Sequence, residues 1–424
     1  MVDILKNRSA VIFADYNSAE KIKEGLAESG YHFVTAPDTK IAARKIRMMR
    51  PSALLIDYSV DGISLEQIQA LVTTEPLVRE LPVFILHDEG FSRIDDFKEF
   101  SIVEFINKKD AYISNLAARF HNDLEPSVKV KFWGVRGSTP TANPENIRYG
   151  GNTTCVTLSA PFLDEYIIMD SGSGIRNLGN FFERENKYPI KGRVFITHPH
   201  WDHIQGFPFF KPFYHRENRF NIHMPEQYRG GAKDILAGHL TKTFFPITLD
   251  MISADISYIT QENGNCDYEG YSMEFMLANH PTKTAIYKIR IGGYSIVFCP
   301  DNELPLKSTP VRFIDQFEKF IEDADLLIHD AQFCLKNYSS KMNWGHSAWE
   351  RVIEVAKNCN VKRLYLTHHD PDSDDEYLDQ ISAEVEQYSG KPFREVKVAK
   401  EGYEISLPIK QSEHVVDKKD RKLK

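Results

Sequence analysis

RVFITHPHWDH, residues 193–203, joins a strand-like apolar run to four potential metal ligands: His198, His200, Asp202 and His203. In an extended chain, positions two apart face the same way, so His198 and His200 can share one metal. A turn after His200 lets Asp202 and His203 face a second metal. Imidazole nitrogen and carboxylate oxygen suit zinc, and also manganese or iron. The alternative is a polar loop with incidental histidines.

Further ligands are expected where later strands end, because a rigid sheet holds a metal site best at its strand exits. His280 follows SMEFMLAN, Asp301 follows YSIVFCP, and His368 ends RLYLTH. Each has an ordinary alternative, either a buried histidine with a hydrogen-bond partner or a helix-capping aspartate. His369 adjoins His368, and either could be the ligand. His215, His223 and His239 lack such a context and are expected on the surface or in loops.

HPHWDH resembles the HxHxDH signature of the metallo-β-lactamase fold, and the later ligands follow that family's order over about residues 128–409. The expected architecture is an αββα sandwich with helices outside. The resemblance implies a first metal on His198, His200 and His280, a second on Asp202, His203 and His368, and Asp301 as the bridge. It implies two divalent ions, with zinc expected and manganese or iron as alternatives. Asp202 is also expected to act in catalysis.

Other segments resemble particular branches of this superfamily. FWGVRGSTP, YGGNTTCV and IIMDSGSGIRNLG resemble a bacterial branch that contains phosphodiesterases; there Asp170 would orient a ligand histidine, or else simply form a turn. LLIHDAQF offers Asp330 for a similar role or for a buried structural pair. WGHSAWE resembles the Gly-His-Ser/Thr motif of transfer-RNA 3′-processing nucleases. That likeness implies that His346 donates a proton to the leaving group, unless it only starts a helix.

A bridging carboxylate favours phosphodiester hydrolysis, where two metals hold one hydroxide and the phosphoryl oxygens. The family's true β-lactamases use cysteine near Asp301, and its flavodiiron reductases have an HxExD loop, so both are disfavoured. The expected substrate is a cyclic nucleotide or another small phosphodiester. Alternatives are an RNA-processing nuclease, which should carry a long basic arm, a carboxylic-ester or thioester hydrolase, and a signalling scaffold with a structural metal. Phenylalanines in 206–220 and 239–250 could stack a base or pack over the core.

The first part of the chain alternates apolar runs with amphipathic stretches, which predicts a doubly wound parallel sheet. The runs are SAVIFA (9–14), HFVTA (32–36), ALLID (53–57), PVFILH (82–87) and VEFIN (103–107). ALLIDYSVDG resembles the phosphoacceptor segment of response-regulator receiver domains. The likeness implies Asp57 as phosphoacceptor, Asp15 as a magnesium ligand, Lys108 at the phosphoryl group and a sensor histidine kinase as partner.

Two departures separate the chain from receiver domains. Ala14 precedes Asp15 in place of a second acid, which puts magnesium binding in doubt, and His87 replaces the usual switch Ser/Thr. The alternative is a receiver-like domain that docks a partner or dimerises.

Composition sets the remaining expectations. The 424 residues carry a formal net charge of −8 and five scattered cysteines. The acidic total disfavours nucleic acid as a partner, and the odd cysteine number without CxxC spacing fits a reducing compartment. Neither a signal peptide nor a membrane-spanning run is evident, so a cytoplasmic protein is expected, with its oligomeric state open. The expected division is 1–125, 126–409 and a polar tail, 410–424.

Overall fold

The computed structural model describes residues 9–26, 31–59, 62–88, 101–107, 126–185, 187–243, 245–261, 265–305, 311–390 and 392–410. The chain divides into two compact units, Met1–Pro126 and Ser127–Lys424. Lys108 and residues 411–424 of the tail lie outside the described residues.

The first unit is a five-stranded parallel sheet with the strand order β2-β1-β3-β4-β5. Its strands are β1 (Ser9–Phe13), β2 (His32–Ala36), β3 (Ala53–Tyr58), β4 (Pro82–His87) and β5 (Ser101–Asn107). Its described helices are α1 (Tyr16–Gly25), α2 (Thr39–Met49) and α3 (Leu65–Thr74). Buried apolar clusters lie on both sheet faces, which explains the near-continuous apolar runs of β1 and β3. The predicted doubly wound sheet is confirmed.

The second unit contains two seven-stranded sheets, ordered β11-β10-β9-β8-β7-β6-β19 and β12-β13-β14-β15-β16-β17-β18. The strands of the first are β6 (Ser127–Gly134), β7 (Cys155–Ser159), β8 (Tyr166–Met169), β9 (Lys191–Phe195), β10 (Arg219–Pro225), β11 (Asp255–Gln261) and β19 (Glu404–Pro408). Those of the second are β12 (Asn265–Tyr268), β13 (Tyr271–Leu277), β14 (Ala285–Ile291), β15 (Tyr294–Cys299), β16 (Leu326–Asp330), β17 (Arg363–Thr367) and β18 (Glu395–Val398).

Helices cover the outer faces of both sheets. The described helices are α4 (Ile175–Arg184), α5 (Trp201–Ile204), α6 (Ala232–His239), α7 (Val311–Ile321), α8 (Leu335–Tyr338), α9 (Trp349–Asn358) and α10 (Asp375–Glu386). One apolar cluster fills the space between the sheets, and two more lie under the helices. This arrangement confirms the expected αββα sandwich.

The site is built where parallel strands end. Strands β8 and β9 are parallel neighbours, as are β15, β16 and β17, so their carboxyl ends share an edge of each sheet. Loops leaving those ends carry the polar residues singled out in the sequence, as expected for open α/β sheets. Gly292 and Gly293 join β14 to β15 with φ of 57° and 82°, the two positive values that a type I′ hairpin requires. In the described part of the chain, no helix is both long and apolar enough to cross a membrane.

Candidate metal centre

The first ligand cluster consists of His198, His200 and His280, whose donor atoms all lie within 4.8 Å of one another. His198 follows β9, while His200 is the residue before α5. His280 reaches the cluster from the connection between β13 and β14, and its Nε2 lies 3.3 Å from Nδ1 of His200. Three imidazoles from two sheets can therefore face one ion.

Asp202, His203 and His368 form a second cluster with the same spacing. Oδ2 of Asp202 lies 3.2 Å from Nε2 of His203 and 3.1 Å from Nε2 of His368. All three side chains are buried. His368 follows β17 and has a φ of 60°, a left-handed conformation that is costly for a non-glycine residue and concentrates at functional sites.

Asp301 lies between the two clusters. Its Oδ1 is 4.0 Å from Nε2 of His198 and 3.9 Å from Nε2 of His280. Its Oδ2 is 2.9 Å from Nε2 of His203 and 3.3 Å from Nε2 of His368. Each oxygen thus faces a different cluster, which is the geometry of a bridging carboxylate.

The residues fit a pair of divalent ions by their chemistry and orientation. Nε2 of His198 is buried and has no hydrogen-bond partner among the described residues, so it is free to bind a cation. Nδ1 of His280 donates to the Gly345 carbonyl at 3.0 Å, which leaves Nε2 deprotonated toward the cluster. Asp170 orients His203 similarly, with 2.8 Å between its Oδ2 and Nδ1 of the ring.

Burial and neighbouring charges shift the pKa values of the ionisable groups in this site. Burial opposes ionisation of Asp301, but the imidazoles of His368 and His203 outweigh it and hold its pKa well below the usual range. Burial also lowers the pKa of His198 well below its ordinary value, and neighbouring His203 adds to that effect. For His198 and Asp301, this is the protonation state that metal binding requires. Against the effect of burial, Asp202 and Asp301 instead raise the pKa of His203 well above its ordinary value, so binding of a metal there would displace a proton.

His346 stands beside the two clusters. Its Nδ1 lies 2.9 Å from Oδ2 of buried Asp330 and 3.7 Å from Oδ1 of Asp301. Burial would lower the pKa of His346, but Asp330 and then Asp301 raise it to about 9. The His346 ring lines the open cleft.

Glu303 is a residue that sequence reasoning missed. Its buried carboxylate accepts hydrogen bonds from the Tyr338 hydroxyl at 2.6 Å and from the backbone N–H groups of Asn343 and Gly345, both at 2.9 Å. It thereby holds the loop that supplies the Gly345 carbonyl to His280 and that continues into His346. No pattern in the sequence marks it, because its three donors come from the last residue of α8 and from the loop that follows this helix.

The adjacent side chains of His368 and His369 point in different directions. His369 turns away from both clusters, and its Nε2 lies 2.9 Å from the Ala399 carbonyl. His368 faces Asp202 and Asp301 instead. Gly137 permits this, since a β-carbon there would lie 2.2 Å from Nδ1 of His368.

The cleft above the clusters has a volume of about 380 Å³. Its walls are formed by Ser138, Pro199, His200, Trp201, Asp202, Asp301, His346 and His368. The phenylalanines considered for base stacking mostly lie elsewhere. Phe207, Phe210 and Phe213 are fully buried in the core beneath α4, which supports the packing alternative.

In the first unit, the structure places two of the three receiver-type residues. Asp57 is buried at the end of β3, and its Oδ1 accepts a hydrogen bond from the Ser59 hydroxyl at 2.8 Å. Asp15 caps α1 by accepting from the backbone N–H groups of Asn17 and Ser18. The predicted Lys108 lies outside the described residues.

The fold and the site define a class of protein. Residues 166–369 match the family model described as a Beta-lactamase superfamily domain. The second unit is accordingly a metallo-β-lactamase-fold domain, and the protein is a metal-dependent hydrolase. The match falls within the second unit, so the receiver likeness of the first unit stays a prediction.

Among individual relatives, the chain is 24% identical over 281 residues to ribonuclease Z of Haloarcula marismortui, a span of 57% of this chain and 86% of that enzyme. It is 25% identical to ribonuclease Z of Methanocaldococcus jannaschii over 62% of this chain and 92% of that one. Among solved structures, the metallo-β-lactamase fold protein YhfI of Bacillus subtilis aligns with a TM-score of 0.48 at 20% identity. That alignment covers 66% of this chain and all of YhfI.

Proposed function

We propose that the second unit hydrolyses phosphodiesters at a dinuclear metal centre held by the seven ligand residues in the assignment given above. The observation that carries this proposal is the placement of Asp301, with one carboxylate oxygen toward each ligand cluster. Five imidazoles and two carboxylates suit zinc, with manganese and iron as alternatives. Bound there, two divalent ions would activate water and neutralise charge on the phosphoryl group.

The protein's own groups supply the remaining chemistry. His346 lies beside the clusters, and Asp330 accepts from its Nδ1, so Nε2 is the nitrogen that would protonate the departing oxygen. The backbone N–H of Ser138 donates to Oδ2 of Asp202 at 2.7 Å and fixes the direction of that carboxylate. Asp170 likewise fixes His203. We assign His346 as the general acid, and Asp170 and Asp330 as positioning residues.

RNA is the first substrate class that we propose. The relatives described above are named ribonuclease Z, which supports the RNA-processing alternative over the small phosphodiester first expected. The same relatives weigh against our expectation that nucleic acid is disfavoured, since a local groove can bind RNA despite a net charge of −8.

A small phosphodiester remains the second candidate because of one structural feature. In the described part of the second sheet, β12, β13 and β14 are joined by residues 269–270 and 278–284, and neither connection is a long basic arm. A substrate held only by the cleft would suit this surface, since its volume of about 380 Å³ falls within the range of small-molecule sites.

A hydrolysis screen of the zinc-loaded and manganese-loaded full chain tests the proposal. The substrates are a 3′-extended transfer RNA, cyclic nucleotides, a bis-aryl phosphodiester and an aryl carboxylic ester. We expect cleavage of the phosphodiesters, with loss of activity in Asp301→Ala and retention in Asp164→Ala, an exposed carboxylate. Cleavage of the carboxylic ester alone would overturn the proposal.

For the first unit, we propose a regulatory role as a receiver-like domain. The order of its sheet, β2-β1-β3-β4-β5, is the flavodoxin-like order and supports this role, as does Asp57 at the end of β3. A sensor histidine kinase would then be its partner. The use of Asp15 as the cap of α1 weighs against strong magnesium binding.

A further inference from the structure

Trp201 is unusually exposed for its position. The residue begins α5 between His200 and Asp202, yet its side chain is 76% exposed. By contrast, Trp133 and Trp349 are 8% and 7% exposed. Among the described residues, no ring or cation contacts the Trp201 indole. An exposed indole beside a cleft offers an apolar face for stacking and an N–H group that can stay in water.

Trp201 lines the cleft above the two ligand clusters. It forms part of the cleft wall together with Asp301 and His346. The loop that bears it is anchored on both sides, since His200 and Asp202 belong to the two ligand clusters. The backbone position of Trp201 is therefore fixed, and an indole has only two side-chain torsions to order when a ligand stacks on it.

The polar residues that line the rest of the cleft favour a flat ligand that also carries polar groups. Apart from Pro199 and Trp201, its residues are polar or ionisable, so a purely apolar ligand would bury charged groups without partners. A nucleobase offers a π face to the indole and keeps its polar edge in water. Trp344 adds a second indole, 60% exposed, in the loop that leads to His346.

We propose that Trp201 is a stacking platform for a nucleobase adjacent to the phosphate that occupies the metal centre. This rests on the proposed phosphodiesterase function and narrows its substrates to nucleotides and RNA. Phosphodiesters without a base, such as glycerophosphodiesters, are excluded as preferred substrates.

Equilibrium binding to the zinc-loaded full chain tests the stacking platform without relying on turnover. The probes are adenosine 5′-monophosphate, adenosine 3′-monophosphate and ribose 5-phosphate, which lacks the base. Stacking of one base is worth a factor of about 5 to 150, so at least one adenosine monophosphate should bind more tightly than ribose 5-phosphate by that factor. Trp201→Phe should keep most of this preference, and Trp201→Leu and Trp201→Ala should abolish it.

Controls separate stacking from damage to the site. Tyr388→Ala removes an aromatic side chain that is 38% exposed beyond the far end of α10, and it should leave the preference intact. Zinc content is measured in each variant, and Trp201→Leu keeps apolar bulk in case Trp201→Ala loses metal. A preference that survives in Trp201→Leu with full zinc content, or that disappears only in Trp344→Ala, overturns the proposal.

The two proposals fail in different ways. If bis-aryl phosphodiesters are cleaved but no adenosine monophosphate is preferred, the stacking platform is wrong and phosphodiester hydrolysis stands. If the preference depends on Trp201 but no phosphodiester is cleaved, the platform stands and the proposed reaction is wrong.

Discussion

Asp301 is the residue that we propose as the bridge, because each of its oxygens faces a different ligand cluster. We expect two metal ions per wild-type chain and fewer in Asp301→Ala, with most hydrolytic activity lost. Elemental analysis after dialysis, together with turnover, measures both effects. Asp164→Ala removes an exposed carboxylate and should change neither. A full complement of two metals in Asp301→Ala would show that the clusters are independent.

The contribution of His346 to the hydrolysis rate should be largest for substrates whose leaving oxygen must be protonated. A positioned general acid contributes about 10²–10⁴-fold, and only where the departing oxygen needs a proton. We therefore expect His346→Ala to slow cleavage of alkyl or RNA phosphodiesters by about that factor and of activated aryl phosphodiesters far less. His215→Ala is the matched control, since His215 stacks on Tyr188 outside the described site. Equal losses on both substrate types would assign His346 to binding instead.

At the scale of the loop, Glu303 is expected to act as a positioning residue. Its carboxylate fixes Asn343 and Gly345, and through them the orientation of His280 and the approach of His346. Glu303→Gln should reduce metal affinity or activity by about 10- to 100-fold, the usual cost of losing a group that orients a ligand.

The dependence of the hydrolysis rate on the leaving group distinguishes a positioning role of Glu303 from a purely stabilising one. Glu303→Gln should steepen that dependence as His346→Ala does, while thermal stability changes little. Glu350→Gln is the control, because the Glu350 carboxylate accepts from the backbone N–H of Leu335, the first residue of α8. A loss of stability with an unchanged leaving-group dependence would make Glu303 purely structural.

Strand β10 shows where sequence reasoning was wrong about a histidine. His223 was expected on the surface, but it is buried and stacks on Phe195 at 4.7 Å, because its alternate position on β10 faces inward. Burial, and then the charge of Arg193, lowers its pKa to about 3.

This buried histidine makes stability depend on pH. In the unfolded chain, His223 binds a proton near pH 6.5, whereas in the folded chain it does so only near pH 3. The contribution of His223 to stability is therefore fully present above pH 6.5 and is lost progressively as the pH falls toward 3. At pH 5 the loss from this residue is about 2 kcal/mol. Urea unfolding at pH 8 and pH 5 should show His223→Phe losing less stability than the wild type by about that amount. Parallel losses in both proteins would contradict the prediction.

At the scale of the whole molecule, the first unit is expected to be a weak phosphoacceptor. Asp15 is engaged as a helix cap with Ala14 beside it, so magnesium should bind weakly, and His87 cannot reproduce the usual Thr switch. Acetyl phosphate should label the chain poorly. Asp57→Asn should keep most hydrolase activity, as should Asp38→Asn, which alters the cap of α2. Rapid magnesium-dependent labelling at Asp57 with a large change in turnover would establish an ordinary phosphorylation-gated enzyme.

The sequence by itself determined the strands and the residues that leave their ends. Apolar runs and period-two alternation are local, so β1 to β5 and β9 could be located from them. HPHWDH likewise places four potential metal ligands within six consecutive residues. Only the tertiary structure decided which partners those residues meet. Glu303 contacts a loop that begins some forty positions later, His369 turns to Ala399 while His368 turns to Asp301, and His223 turns inward. Local spacing fixes the direction of a side chain on its own strand, but contacts between loops depend on how two sheets pack, and no local pattern encodes that packing.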